Sequence, residues 1–302
     1  MIKRWKRMAA VAAALVTAVT LAQPAAAFAA TKPYVALGAD LNPEQRATVL
    51  NLLGVTEAEL AGDTVVTVTN AEEHEYLDEY VSSSLIGTKS LSSCKVVVEP
   101  KGHGISVETH NISYCTPSMY ENALATAGMK NASVTVAGPT SISGTAALVG
   151  AMKAYSKIYG TVIDPQYLDG ATDELVTTGD LAETLGDSEK AAELIAAIKQ
   201  IIAEQDIKSE QDIYVIIDNI SVEMGITLTE EQKQQIVDLM KKLAALDLDA
   251  DALTEQAQQI YENLKSQGLD LSQYGITKEQ VNGIWDLLRA FFEKLLSLFS
   301  RM

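Results

Sequence analysis

Strand-like segments are confined to one part of this chain, and that uneven distribution constrains the fold more than any other feature. β-branched or alternating runs occupy Asp63–Thr69, Cys94–Glu99, Ile105–Ile112 and Ser133–Ala137. From about Pro165 onward, Ala, Leu, Ile, Glu, Gln and Lys recur at helical spacing and no strand pattern follows. The sequence therefore predicts an α+β half followed by an all-α half.

Predicted helices alternate with these strands in a recognisable order. Helical patterns cover residues 72–81, 116–127 and 145–159, and Asn42 and Pro43 open a further helix ahead of the first strand. From Asp63 the order is βαββαβ, that of ferredoxin-like sandwiches, with the second and third strands forming a hairpin across residues 100–104. We therefore predict a ferredoxin-like sandwich with flanking helices over residues 30–160.

The second half is predicted to consist of helices alone. Residues 161–187 form a weak helical connector that Gly170, Gly179 and Gly186 break. An all-α domain follows over residues 188–302, with helices near 188–204, 210–224, 229–246, 251–267 and 277–299. We expect limited proteolysis to cut the connector first, because its core pattern is the weakest.

The first 29 residues have the pattern of a secretory signal peptide. A basic stretch ends at Met8, an apolar run of about 14 residues extends from Ala9 to Ala22, and Ala27 and Ala29 supply small residues for cleavage after Ala29. A retained membrane anchor is the alternative, but a membrane span needs about 20 residues. We expect a secreted or extracellular protein without a transmembrane helix after signal removal, and association with the cell envelope stays open.

Cys94 and Cys115 are the two cysteines of the chain. In the predicted hairpin they fall at paired strand ends, and an oxidising compartment favours a disulfide between them. Closing a loop of about 20 residues would stabilise the fold by about 3 kcal/mol. Two free buried thiols, or half of a metal site, are the alternatives.

The charge balance disfavours two classes of partner. Asp and Glu number 40 against 23 Lys and Arg, giving a net charge of −17. So acidic a surface repels nucleic-acid phosphates and anionic lipid headgroups. We therefore expect no nucleic-acid binding.

A polar loop between a predicted strand and a predicted helix is a candidate anion site. The segment Gly138–Thr145 lacks the lysine of a phosphate loop, so the sequence does not predict nucleotide binding. Backbone N–H groups at a helix start can still hold a carboxylate or another anion. The candidate residues are Ser141, Ser143, Gly144 and Thr145; a polar loop with serine caps is the alternative.

His74, Glu75 and Asp78 form an H-E-x-x-D pattern that resembles half of a zinc protease helix. A third ligand is not evident, and a solvated acidic face accounts for Glu72, Glu73, Glu75, Asp78 and Glu79.

Asp247, Asp249 and Asp251 have the spacing of a calcium loop. Ala252 and Gln258 stand where Gly and Glu are needed, so a helix cap is favoured. We predict neither a metal nor a cofactor.

Each catalytic signature is incomplete. The chain has no G-x-S-x-G motif, and its three histidines cannot be placed beside a serine from the sequence. Paired carboxylates among 40 acids remain an alternative, and they would make the protein a secreted hydrolase.

The end of the chain carries its heaviest apolar face. Trp285, Leu288, Phe292, Leu295 and Phe299 recur at three- and four-residue steps. Docking onto the other C-terminal helices is one interpretation, and binding to a membrane surface or partner protein is the other.

Four segments resemble a known family. They are Asn111–Tyr114, Met119–Leu124 with Ala127 and Gly128, Val134–Ala137, and Ser143–Tyr155. With the signal peptide and the helical second half, they resemble the domain of unknown function 1002 family, exported proteins of Gram-positive bacteria. The resemblance implies an exported location and this overall organisation, with no activity or site residues to carry over. We therefore expect a non-catalytic, envelope-associated binding or interaction module whose partner is an envelope or extracellular protein.

Overall fold

The structure is a computed structural model that describes residues 32–60, 65–160, 162–250 and 253. Its elements within those ranges are β1 (Tyr34–Gly38), α1 (Pro43–Leu53), β2 (Val65–Val68), α2 (Asn70–Leu77), α3 (Ser83–Ile86), β3 (Ser93–Val98), β4 (Ile105–Ile112), α4 (Pro117–Thr126), β5 (Ala132–Ile142), α5 (Thr145–Tyr159), α6 (Pro165–Leu185), α7 (Ser188–Gln205), α8 (Glu210–Glu223) and α9 (Glu230–Ala244). The α+β class is confirmed.

The strands form one mixed sheet in the order β2-β1-β3-β5-β4. β1 runs parallel to β2 and antiparallel to β3. β5 runs antiparallel to β3 on one side and parallel to β4 on the other. The two outer strand pairs are thus parallel and need crossover connections, which α1 and α4 provide.

The predicted hairpin is wrong, because β5 lies between its two strands. The turn that was expected to close the hairpin is held instead by Asn131, just ahead of β5. The Asn131 side-chain oxygen accepts hydrogen bonds from the backbone N–H groups of Gly102, His103 and Gly104 at 2.8, 3.0 and 3.2 Å. The sheet also has five strands in an order that differs from that of the predicted four-stranded ferredoxin-like sheet. Strand β1 is the one that was not predicted.

Helices cover both faces of the sheet. Alternation along β1 places Val35 and Leu37 on the face that packs against α1, and Ala36 on the other face. That second face, with Val96, Val134 and Val136, packs against α4 and α5 in the largest apolar cluster. Helix α5 therefore lies across the sheet, and its start is fixed where β5 ends.

Capping residues set several helix starts as predicted. Asn42 forms a capping box with Gln45 at the start of α1, and Thr116 accepts a hydrogen bond from the Met119 N–H in α4. Thr229 forms a second predicted capping box with Gln232 at α9. Local hydrogen bonding of this kind is readable from sequence because both partners are three residues apart.

The predicted connector is one continuous helix. Gly170 and Gly179 lie buried inside α6 and do not break it, and Gly186 ends it in the left-handed conformation. Leu175 of α6 belongs to the apolar cluster of the sheet, whereas Leu181 belongs to the cluster of helices α7–α9. Helix α6 thus packs into both apolar clusters. The division of the chain into separable domains stays a prediction.

A buried ion pair lies where α6 meets α4 and α7. Lys199 Nζ lies 2.6 Å from Glu174 Oε1, and both side chains are almost fully buried. Lys199 also donates to the Asn122 carbonyl and the Thr126 hydroxyl, each at 3.0 Å. With these added hydrogen bonds the pair fixes the relative position of three helices, although a buried pair contributes little net stability.

Over the described ranges, no helix has the length and apolar content needed to cross a membrane.

We expect Gly179→Ala to destabilise the protein. A Cβ at this position would lie 2.6 Å from Cζ of the Tyr114 ring, which is rigid. Overpacking of this kind costs about 1 to 3 kcal/mol, more than the helix propensity of about 1 kcal/mol that alanine adds. Thermal and urea unfolding of the purified variant measure the difference.

Gly170→Ala is the matched control on the same helix. Its added Cβ would meet the terminal methyl groups of Leu243 and Leu246 at 3.0 Å, and these can shift. We expect its free energy of unfolding to change by less than about 1 kcal/mol. Equal losses of stability in Gly179→Ala and Gly170→Ala would contradict the position of the Tyr114 ring against Gly179 in the structure.

Candidate ligand pocket at the start of α5

A pocket of about 270 Å³ opens where the start of α5 faces α2 and the chain leading into β3. Its lining combines one buried acid with hydroxyl groups and aliphatic side chains. The lining residues are Glu73, Leu85, Ile86, Gly87, Thr88, Lys89, Leu91, Ser92, Ile142, Ser143, Thr145 and Ala146. Its volume lies just below the range of about 300 to 1,000 Å³ that is usual for ligand pockets, so it has room only for a small molecule.

The chain turns sharply between β5 and α5 because of Gly144. This residue has φ of 101°, a conformation that side chains disfavour. A Cβ here would lie 2.7 Å from Cγ2 of Ile112, and the Tyr120 hydroxyl donates to the Gly144 carbonyl at 2.6 Å. The turn therefore places the first residues of α5 at the pocket wall.

Helix α5 begins without a side-chain cap of its own. The N–H of Ala147 donates to the Ser92 hydroxyl at 2.9 Å. The N–H groups of Thr145 and Ala146 precede it in the first turn, where helix geometry supplies no acceptor. Both residues line the pocket, so the positive end of the α5 dipole faces it.

Glu73 supplies the pocket with a buried carboxylate. Its side chain is 1% exposed, and its Oε1 accepts a hydrogen bond from the Thr145 hydroxyl at 3.0 Å. Its other oxygen, Oε2, is closed to solvent and makes no close hydrogen bond among the described residues, although the Asn70 and Ser90 side chains interact with the carboxylate. A buried carboxylate is costly, and buried acids with shifted pKa values concentrate at functional sites.

Burial raises the pKa of Glu73 to about 6. Hydrogen bonding by Thr145, Asn70 and Ser90 and the charge of His74 act in the opposite direction and limit the increase. Glu73 is therefore mostly ionised near neutral pH, beside the positive end of α5.

Helix α2 is fixed so that Glu73 points inward. Thr69 and Glu72 form a capping box at its start, and Lys153 of α5 binds Glu72 at 2.5 Å. Leu77, one turn after Glu73, is fully buried. The expectation that Glu73 lies on a solvated acidic face is wrong, whereas Glu75 and Asp78 are exposed.

His74 supports the pocket wall. Its Nδ1 lies 2.6 Å from Asp78 Oδ1, and its Nε2 lies 3.2 Å from the carbonyl oxygen of Gly87. Both partners are acceptors, and the hydrogen bond to Asp78 raises the pKa of His74 above its usual value. The H-E-x-x-D pattern thus ties α2 to Gly87.

The structure brings together part of the predicted anion loop. Ser143 and Thr145 line the pocket, with their hydroxyl oxygens 3.3 Å apart, and Gly144 forms the turn between them. Ser141 is exposed and lies outside the pocket lining. Sequence reasoning missed Glu73, which places a carboxylate at the helix start where an external anion was considered.

Both cysteines are free thiols in the structure, and both are buried. The expected bridge is not present, and the strand pairing on which it was based is absent because β5 separates β3 from β4. Burial raises the pKa of Cys94 and of Cys115 to about 12. Neither thiol has the thiolate character of a reactive cysteine.

The remaining candidate residues fall elsewhere. Asp249 forms an ion pair with Lys130. Asp251 and Gln258 lie outside the described residues, as do Trp285, Leu288, Phe292, Leu295 and Phe299. Within the described ranges, no group of three His, Cys, Asp or Glu side chains is placed to hold a metal ion.

Two other buried acids lie apart from the pocket. Glu174 pairs with Lys199 between helices. Glu121 of α4 accepts a hydrogen bond from the Val107 N–H at 3.0 Å, on the edge strand β4, and burial raises its pKa to about 8. Of the acids that the structure describes, Glu73 alone lines the pocket.

The fold and pocket define an α+β protein with a mixed five-stranded sheet, a helical second half and a small acidic pocket. A family model described as "Protein of unknown function (DUF1002)" matches residues 37–260, and the chain belongs to that family. It is 42% identical over 223 residues to "Uncharacterized protein YpuA" of Bacillus subtilis (strain 168), which covers 74% of this chain and 75% of that protein. No solved structure matches.

We expect Glu73→Gln to stabilise the protein above about pH 6. The folded-state pKa of Glu73, about 6, exceeds the ordinary value of 4.5, so the folded state binds more protons between these values. Stability therefore falls as pH rises through that window, and Gln removes the loss. After allowance for solvent near the pocket, the gain is about 1 kcal/mol.

Urea unfolding of both proteins at pH 4.5 and pH 7.5 measures this effect. Glu75→Gln, an exposed change of the same charge on the same helix, is the control and should show little difference between the two pH values. A loss of stability in Glu73→Gln at pH 7.5 would show that the carboxylate is satisfied in the free protein.

Proposed function

We propose that this protein is an exported, envelope-associated binding module without catalytic activity, and that it holds a small ligand in the pocket of Glu73. One observation carries the proposal: a pocket of about 270 Å³ has in its lining an almost fully buried carboxylate, that of Glu73, beside the start of α5, which has no side-chain cap of its own. Polar groups of this kind at the wall of a largely aliphatic pocket are typical of sites that bind small molecules.

The groups around the pocket favour binding over catalysis. A hydrolase built from carboxylates needs two of them, about 5 to 10 Å apart, on opposite sides of the scissile bond. The described lining offers Glu73 as its one acid, and the neighbouring His74 uses both ring nitrogens to hold Asp78 and Gly87. The secreted hydrolase remains the rival, and a second acid in the pocket would be the feature to favour it.

The exported location is supported by the basic and apolar pattern of the first 29 residues. An acidic protein outside the cell is unsuited to electrostatic adhesion to anionic lipid. Association with the envelope would then use a protein surface, so the expected partner is an envelope or extracellular protein.

We expect the full chain, expressed in a Gram-positive host, to be found outside the cytoplasm with its N-terminus at Ala30. Cell fractionation and mass spectrometry of the N-terminal peptide measure this. A chain that lacks residues 1–29 should remain in the cytoplasm. Recovery of the uncleaved chain in the membrane fraction would identify a retained anchor.

Filling the pocket should abolish small-molecule binding. Ser143 is half-buried in the lining, so Ser143→Phe would place a ring in the cavity. We expect fragments that bind residues 30–302 in ligand-observed NMR to lose at least tenfold in affinity for this variant. Ser141→Phe, two residues away and exposed, is the control and should bind them unchanged.

The melting temperature of each variant confirms that it folds. Fragments that bind Ser143→Phe as well as the parent protein would show that the pocket is not the ligand site.

A further inference from the structure

The two outer strands of the sheet are bordered by side chains of the neighbouring helices. Among the described residues, β2 and β4 are the outermost strands, and each has one edge that pairs with no other strand. An open edge of this kind presents backbone N–H and C=O groups to which a strand of another chain can add. The occupancy of these groups therefore determines whether the sheet can extend into a second molecule.

Glu121 of α4 occupies the outer edge of β4. The Ala132 N–H donates to the Gly104 carbonyl at 2.9 Å, so alternation along the strand turns the backbone groups of Val107 away from β5. On that outer side, the Val107 N–H donates to Glu121 Oε1 at 3.0 Å. The side chain of Glu121 is 2% exposed, so this contact lies inside the fold and not in solvent.

A bulge limits the same edge. The register of β4 against β5 shifts between His110 and Ile112, and Asn111 between them has φ of 59°. The Asn111 side chain donates to the Gly138 carbonyl at 3.1 Å and so holds the bulge in place. A bulge bends an outer strand, which is one of the ways in which proteins protect the edge of a sheet.

Lys153 of α5 occupies the outer edge of β2. The Ala39 N–H donates to the Val68 carbonyl at 2.8 Å, so alternation turns the Thr67 carbonyl away from β1. Lys153 Nζ donates to this outward carbonyl at 2.6 Å and also lies 2.5 Å from Glu72 Oε1. The carboxylate of α2 therefore helps to hold the ammonium group over the edge.

A second lysine reinforces this edge. Lys157, one turn further along α5, donates to the Val65 carbonyl at 3.4 Å, the other outward carbonyl of β2. An incoming strand would have to displace ammonium groups from both carbonyls. β2 has four residues, so few new hydrogen bonds would offset that displacement.

We infer that Glu121 and Lys153 close the two outer edges of the sheet to strand addition by a second copy of this chain. A strand added at either edge would replace a hydrogen bond that already exists and would gain little. The inference goes beyond the proposed function and restricts it, because the envelope partner then binds at a surface other than the sheet edges.

The test compares the oligomeric state of residues 30–302 with that of Glu121→Met and Lys153→Met. Methionine keeps the aliphatic packing of both side chains but leaves the backbone group at the edge without its partner. Size-exclusion chromatography with light scattering gives the mass over a range of protein concentrations. We expect both variants to associate as concentration rises, while the mass of the parent stays constant. Hydrogen exchange at the Val107 amide should be slower in associated Glu121→Met than in the dilute sample.

Two further variants separate the edge contacts from other roles of the same side chains. Burial raises the pKa of Glu121 to about 8, so its carboxyl is mostly uncharged near pH 7, and Glu121→Gln retains an oxygen that accepts from Val107. Glu72→Gln removes the ion pair of Lys153 but leaves its contact with Thr67. Both variants should keep the mass of the parent. The melting temperature confirms that each variant folds.

Two results would overturn the inference. If both methionine variants keep the mass of the parent at every concentration, these side chains do not close the edges. If Glu121→Gln and Glu72→Gln associate as strongly as the methionine variants, a general loss of stability causes the association. Lys153 is partly exposed, so its variant decides the question even where the change at buried Glu121 prevents folding. The proposed function is tested separately, by ligand binding to Ser143→Phe.

Discussion

The position of β5 in the sheet determines most of this structure. Paired with β3 on one side and β4 on the other, it is the strand that joins the two halves of the sheet. Its far end leads through Gly144 directly into α5, so strand pairing fixes where that helix starts. The pocket lies where α5 begins beside α2, and α5 has no side-chain cap of its own there. A change that shifted the register of β5 would therefore move the first turn of α5 away from Glu73.

Sequence reasoning located four of the five strands and most helix starts, because these depend on residues within a few positions of one another. Periodicity identifies β3 and β4 as strands, and the capping boxes at Asn42 and Thr229 mark helix starts. Strand order is a different kind of information. The short turn at residues 100–104 favoured a hairpin, but Asn131 binds that turn from a distant part of the chain and β5 inserts between the strands. β1 was missed because Tyr34–Gly38 contains one β-branched residue and ends in glycine, whereas β2 consists entirely of β-branched residues.

Helix α6 shows a similar limit. Glycines at 170 and 179 lower helix propensity, which suggested a broken connector. In the structure they allow close approach: a side chain at Gly179 would overlap the Tyr114 ring, and Gly170 faces Leu243 and Leu246. The helix is stable because its neighbours bury it, and the Glu174–Lys199 pair sets its position against α4 and α7. Helix propensity describes an isolated segment, whereas the packing of α6 against its neighbours decides whether the helix is continuous in the folded protein.

The sequence interpretation missed Glu73 as a buried residue. Its spacing from two apolar residues nevertheless indicates burial. Glu73, Leu77 and Val81 follow one another at four-residue steps, so an acid occupies the same stripe as two apolar residues. The neighbouring acids Glu72, Glu75, Asp78 and Glu79 concealed this, because a cluster of charges on a short helix suggests a solvated face. An acid on an apolar stripe is costly to bury, and without a permanent partner the cost persists in the folded state. A chain that keeps such a residue has either a local use for its charge or a ligand that completes it. For Glu73, the Thr145 hydroxyl donates to one oxygen at the start of α5, where the helix has no side-chain cap, so the charge has a local use at the positive end of that helix.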